Sequence, residues 1–192
     1  MLRSLVLKQE NAAVLRCDNP FWKFSLAVYA RGGVAPECLA LQEALGIDVN
    51  VLLFCAWVGA EKKLILNEKN FAAIDASIRR WHQTVVRPLR AVRQAMKPMP
   101  EMADDVVKDL RKDIAAVELK AEQIEQALLF EETDALSAGA TTADDAETAI
   151  RANITAFVQR NATDATATPA TPSLIAAAIG YRSATPSKTL EK

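Results

Sequence analysis

Histidine occurs once in the 192 residues, at position 82, and glycine six times. A single histidine excludes a metal centre built on several imidazoles. It also excludes most Ser-His and Cys-His catalysis, unless His82 meets one of the three cysteines in space. Scarce glycine, an aromatic content of 6% and few β-branched runs leave little material for hairpins and sheets. The abundant Ala, Leu, Glu, Lys, Gln and Arg are strong helix formers. Cys17, Cys38 and Cys55 are widely spaced and form no Cys-x-x-Cys motif, so they read as small buried apolar residues in a reducing compartment. Glycine-rich phosphate loops and Gly-x-Ser-x-Gly elbows are absent. No segment approaches the ~20 apolar residues of a membrane span. Met1 to Leu7 is too short an apolar run for a secretory signal, so a cytoplasmic location is expected. No catalytic residue, metal or cofactor is expected.

What the chain does have is helical periodicity. Asn19-Pro20 is a strong helix start, since the Asn side chain caps free amides and proline at the first position loses no hydrogen bond. The spacing predicts a helix from about Pro20 to Ala30, with Phe21, Phe24 or Ser25, and Val28 on one side. A second helix follows from Pro36 to Gly46 through Cys38, Leu41 and Leu45. Asp48 caps a third, Val49 to Val58, which is apolar nearly all round and is therefore the expected centre of the core. A long helix from about Asn70 to Lys97 should kink at Pro88, which removes one helical hydrogen bond and crowds the preceding turn. After Pro98-Met99-Pro100, residues 101 to 131 carry Val107, Leu110, Ile114, Val117, Ala121, Ile124 and Leu128 at alternating spacings of three and four. This is a heptad seam able to pack as a hairpin arm or against another chain.

Net charge is only −1, but its distribution is polarised. Lys62 to Lys97 holds nine basic residues against Glu68 and Asp75, whereas Glu101 to Glu147 holds fourteen acidic residues against four basic ones. A tight turn between the two segments would lay them antiparallel, with opposite charges partly facing. The expected architecture is all-α: a compact bundle of five or six helices over residues 18–132, with a long charged hairpin. It is preceded by an arm over 1–17, with a possible short strand at Ser4 to Lys8. It is followed by an Ala/Thr/Pro-rich, mostly disordered tail over 133–192, carrying a weak helix near 143–160 and a small apolar island at 173–181.

Three groups of residues invite a chemical reading. Asp48 and Asn50 flank the start of the apolar helix, where with Trp57, Trp22 and His82 they could hold an ion or a small ligand. Asp48 is accounted for by capping, but an amide at the buried face, Asn50, needs a partner. Arg79, Arg87, Arg90 and Arg93 could bind phosphates or nucleic acid beside Trp81, provided that they stay unpaired and exposed. Asp104, Asp105 and Asp109 are explained by the helix dipole, which favours acids in a first turn.

The blocks Asn19-Pro20-Phe21-Trp22-x-Phe24-Ser25-Leu26-x-x-Tyr29, Cys38-Leu39-x-Leu41-Gln42, Gly46-x-Asp48-Val49-Asn50-x-Leu52-Leu53-x-Cys55-x-Trp57, and Trp81 with Val86-x-Pro88-Leu89-Arg90 carry a resemblance. Over about residues 19–132 the chain resembles the bacterial hypothetical proteins catalogued as domain of unknown function 2390. That resemblance implies a compact all-helical bacterial domain and carries no reaction. The segment beyond Glu132 departs from its pattern. The favoured expectation is a non-enzymatic protein-interaction or regulatory module, with a protein partner or a second copy meeting the heptad seam as a coiled coil. Nucleic-acid or phosphate binding by the basic helix, and a ligand or enzymatic site in the core, are the alternatives.

Overall fold

The computed structural model describes residues 14–137, 139–162 and 170–181, and the possible strand at Ser4 to Lys8 lies outside them. The chain is mostly helical. Helix α1 spans Pro20–Tyr29 and starts as its sequence requires, with the Asn19 side chain accepting from the Trp22 amide. Helix α2 (Val34–Leu45) begins earlier than Pro36, since Gly33 at φ 86° supplies the left-handed turn that admits it, and ends at Gly46. Helix α3 (Val49–Trp57) is capped by Asp48, and all its residues from Asn50 to Trp57 are buried.

Two stretches depart from simple α-helix. Helix α3 runs into a π-helical turn, Val58–Lys62, which ends at Lys63 in the left-handed conformation. The expected 70–97 helix is instead α4 (Glu68–Trp81), a π-helical turn at His82–Val86, and α5 (Arg87–Met96). Pro88 has no amide proton and its ring crowds the carbonyl four residues back, so the disturbance it causes falls in the turn before it. There the Arg87 amide bonds the His82 carbonyl five residues behind, a π-type register. A 3₁₀ turn, Pro100–Ala103, leads to α6 (Asp105–Glu131), which lies against α5. Opposite charges meet there as expected: Arg90 bonds Glu118 and Glu122, and Arg93 bonds Glu118.

The weak helix expected near 143–160 forms, but the reading of a mostly disordered tail needs correction. Helix α7 (Thr133–Ser137), α8 (Ala146–Asn161) and α9 (Pro172–Ile179) follow, and α8 packs on α3 and the first π turn. Ile150, Ile154, Phe157, Val158 and Leu174 join the same core as Phe21, Phe54 and Trp57. Strand β1 (Leu64–Ile65) pairs antiparallel with β2 (Thr141–Thr142), a ladder that no sequence signal marked. Asn153, fully buried on α8, accepts from the Leu66 amide at 2.8 Å and donates to the carbonyls of Leu64 at 2.8 Å and Cys55 at 3.2 Å. The apolar island docks on its own chain, with the amides of Ser173 and Leu174 donating to the Glu37 carboxylate at 2.9 Å. Composition suggested disorder because alanine and threonine dominate, yet a few apolar residues at helical spacing find a ready-made surface on α3.

Gly59 marks the tightest contact of this assembly: a Cβ there would stand 2.6 Å from the Ile150 amide nitrogen and 2.7 Å from its Cα, both backbone. Gly59→Ala should therefore lower unfolding free energy by about 2 kcal/mol, the typical cost of overpacking a core, as read by urea denaturation. A chain ending at Glu132 forfeits Ile150, Ile154, Phe157 and Leu174 from the core, each worth about 2 kcal/mol when buried. It should lose the cooperative transition shown by the full chain, because the total approaches a domain's whole stability.

Candidate functional site

At the centre of the bundle, α6 turns carboxylates and amides toward the other helices, together with only part of its heptad seam. Its buried residues are Glu118, Ala121, Glu125, Gln126, Ala127 and Leu129, while Leu110 and Val117 of the expected seam stay more than half exposed. Glu125 has no accessible surface. Its Oε1 stands 2.9 Å from His82 Nδ1, and its Oε2 accepts from Asn50 Nδ2 at 2.7 Å. Asn50 Oδ1 in turn accepts from Gln126 Nε2 at 2.8 Å. Asp48 Oδ2 lies 2.8 Å from the same His82 nitrogen, while its Oδ1 caps α3 by accepting from the Asn50 amide at 2.8 Å.

The polarity of this chain of bonds follows from its end. An ionised Glu125 only accepts, so Asn50 must present its NH₂ to it, which leaves the Asn50 oxygen for the Gln126 NH₂. Gln126 Oε1 is thereby turned away, and it is buried with no hydrogen-bond partner among the described residues. One imidazole N–H faces two carboxylate oxygens, and with Glu125 taking it, Asp48 Oδ2 has no hydrogen bond.

Burial pulls the His82 pKa down, but the two carboxylates within 2.9 Å of its Nδ1, Asp48 and Glu125, outweigh it and push it to about 9. Burial, as the largest influence, raises the Glu125 pKa despite its bond to His82. The pair therefore keeps a proton at neutral pH, held on the imidazole between two acceptors. Among the described residues, Asp48, His82 and Glu125 are the group whose donor atoms lie near enough to share an ion, within 4.8 Å of one another.

The relay runs between two cavities. The larger, about 370 Å³, opens among α1, α2, α3, α5 and α6 and is lined by Trp22, Ser25, Tyr29, Asn50, Glu122 and Gln126, with Arg90, Arg93 and Arg111 also on its wall. Ser25 Oγ, like Gln126 Oε1, is buried there without a hydrogen bond among the described residues. The smaller, about 230 Å³, is bordered by Asp48, Asp75, Arg79, His82 and Arg160.

Of the residues singled out in the sequence, Asp48, Asn50 and His82 come together. Trp57 does not join them: it packs on Phe21, Phe54 and Phe130 with ring centroids 5.6–5.7 Å away and borders neither cavity. Of the four arginines, Arg90 and Arg93 are engaged by Glu118 and Glu122, and Arg79 and Arg87 are exposed. Trp81 donates to the Ala121 carbonyl at 2.9 Å, which fixes its ring against α6. Cys38 and Cys55 are free and buried, and burial raises both thiols, Cys38 to about 12. No His82–cysteine pair forms; the imidazole's partners are carboxylates. Glu125, Gln126 and Ser25 were not singled out in the sequence. The available signal was Asn50, whose burial demanded a polar partner somewhere on a facing helix.

Fold and site together define a helical domain with a polar node buried between two cavities. The chain belongs to the family of proteins of unknown function DUF2390, whose model matches residues 20–129. The match ends before α8 and α9, which complete the core. No curated protein and no solved structure matches the chain.

The imidazolium between Asp48 and Glu125 makes stability depend on pH with a definite sign. Its folded pKa of about 9 lies above the unfolded value of about 6.5, so its contribution is complete below the latter and is lost as pH rises through the former. In EDTA, unfolding free energy should decline from about pH 6.5 to about pH 9. His82→Gln should flatten that decline, as followed by urea denaturation at each pH.

Proposed function

We propose that this domain binds a small organic ligand in the cavity between α1, α2, α3, α5 and α6. The observation that carries the reading is the pair of buried polar atoms, Ser25 Oγ and Gln126 Oε1, left without hydrogen bonds on the wall of one cavity. Such groups are costly when unmet and are normally satisfied by something. A volume of about 370 Å³ falls in the range of small-molecule sites. Trp22 and Tyr29 offer aromatic faces to an apolar body, while Gln126 Oε1 asks for an N–H or O–H donor on the ligand. This develops the core-ligand alternative of the sequence, with no bond-making step attached to it.

A second reading, a protein partner or second copy docking on α6, is favoured by one feature. Val106, Leu110 and Val117 are 77%, 54% and 53% exposed, at spacings of four and seven that put them on one side of the helix. A coiled-coil contact with another chain belongs to this reading. The nucleic-acid alternative keeps only Arg79 and Arg87 as unpaired, exposed members of its set. Among the described residues no helix is long and apolar enough to cross a membrane.

A thermal-shift screen of the full chain against a panel of small metabolites tests the ligand reading. A ligand at 100 times its Kd adds about 2.7 kcal/mol, which should raise Tm by roughly 5–10 °C. Ala115→Trp, which fills the cavity, should abolish the shift while preserving the helical circular dichroism. A panel that leaves the wild-type Tm unmoved, together with concentration-dependent self-association lost in Leu110→Glu, would favour the partner reading.

A further inference from the structure

We infer that Asp48, His82 and Glu125 form a binding site for a divalent first-row metal ion such as zinc or manganese, distinct from the organic-ligand cavity and independent of that reading. The argument begins with how the two carboxylates are held. Asn50 ties down one oxygen of each: its backbone amide donates to Asp48 Oδ1 at 2.8 Å and its side-chain NH₂ to Glu125 Oε2 at 2.7 Å. The remaining oxygens, Asp48 Oδ2 and Glu125 Oε1, converge on His82 Nδ1 at 2.8 and 2.9 Å. Outer hydrogen bonds that fix one carboxylate oxygen and free the other are the usual supports of metal ligands.

The two nitrogen–oxygen separations suit an ion. Ligand atoms at right angles around a metal with bonds of about 2.1 Å are about 3 Å apart, close to the two nitrogen–oxygen separations observed. The three side chains stand on different elements: Asp48 at the α3 cap, His82 at the head of the second π turn, and Glu125 in mid-α6.

Hydrogen bonding alone does not complete the arrangement. Nδ1 carries at most one proton, and Asp48 Oδ2, an atom with almost no accessible surface, has no hydrogen bond. Once the ion displaces the Nδ1 proton to solvent, two carboxylates and a neutral imidazole balance a dication, and a mixed nitrogen and oxygen donor set suits zinc, manganese or iron. The smaller cavity borders both Asp48 and His82, giving an entry path and room for water as further ligands. A lone histidine does not rule out such a site, because carboxylates supply the rest.

Isothermal titration of the EDTA-treated full chain with zinc chloride and with manganese chloride tests the inference, with magnesium chloride for comparison. One ion per chain should bind, zinc or manganese at least tenfold more tightly than magnesium. Zinc should move the His82 Nδ1 resonance in ¹⁵N NMR. Asp48→Asn keeps the oxygen that caps α3, so the domain stays folded, and should weaken binding about tenfold or more; Glu125→Gln should do the same. Absence of saturable one-to-one binding by either metal, with His82 remaining an imidazolium, would overturn the site and leave a buried ion pair. So would binding of equal strength in folded Asp48→Asn.

Discussion

A carboxylate with no accessible surface in the middle of a helical bundle is the constraint around which the other polar residues are arranged. Removing an ion from water costs several kcal/mol, and only a matched counter-charge with further hydrogen bonds offsets it. Glu125 has both: His82 on one oxygen and Asn50 on the other. Each partner brings its own demand. Asn50 needs a donor for its oxygen, which Gln126 supplies, and His82 is carried to the site by the last turn of α4, its amide still bonding the Ile78 carbonyl four residues back. A second, partly buried cluster, Arg90 and Arg93 with Glu118 and Glu122, closes the same interface one to two turns away.

Buried ionic networks of this kind are weak sources of stability, because apolar residues of similar volume often serve as well or better. Their presence in the centre of a small domain therefore points to use. The relay has an ion-sized donor set at one end and unmet hydrogen-bonding atoms on a cavity wall at the other, so a single row of side chains connects two places where something can bind.

Much of the fold was legible. Asn19-Pro20, Asp48 and the all-round apolar α3 gave their helices because capping chemistry and periodicity act locally. The hairpin and its facing charges followed from a short turn between segments of opposite sign. Three features were not legible. The seam through Leu110 and Val117 offers a hairpin arm or a contact with another chain, and nothing in it signals that Glu118, Glu125 and Gln126 face the bundle, their cost met by partners distant in sequence. In the segment after Glu132 the weak helix expected near 143–160 forms as α8, but its docking into the core was not legible, because it rests on a close backbone approach at Gly59 and on one well-satisfied amide, Asn153. For the site, Asp48, Asn50 and His82 were found through capping and burial arguments, whereas Glu125 was hidden in an acidic helix where every carboxylate looks solvated.

A double-mutant cycle on His82→Leu and Glu125→Leu, measured by urea denaturation in EDTA, bears most directly on the claim that the buried carboxylate organises the centre. Removing one partner leaves an uncompensated buried group, and each single change should cost about 3 kcal/mol or more. The double change should cost less than their sum by about 2 kcal/mol or more, since the second substitution relieves what the first exposed. Additive costs would contradict the account, because they would mean that Glu125 and His82 stand in the core independently of each other.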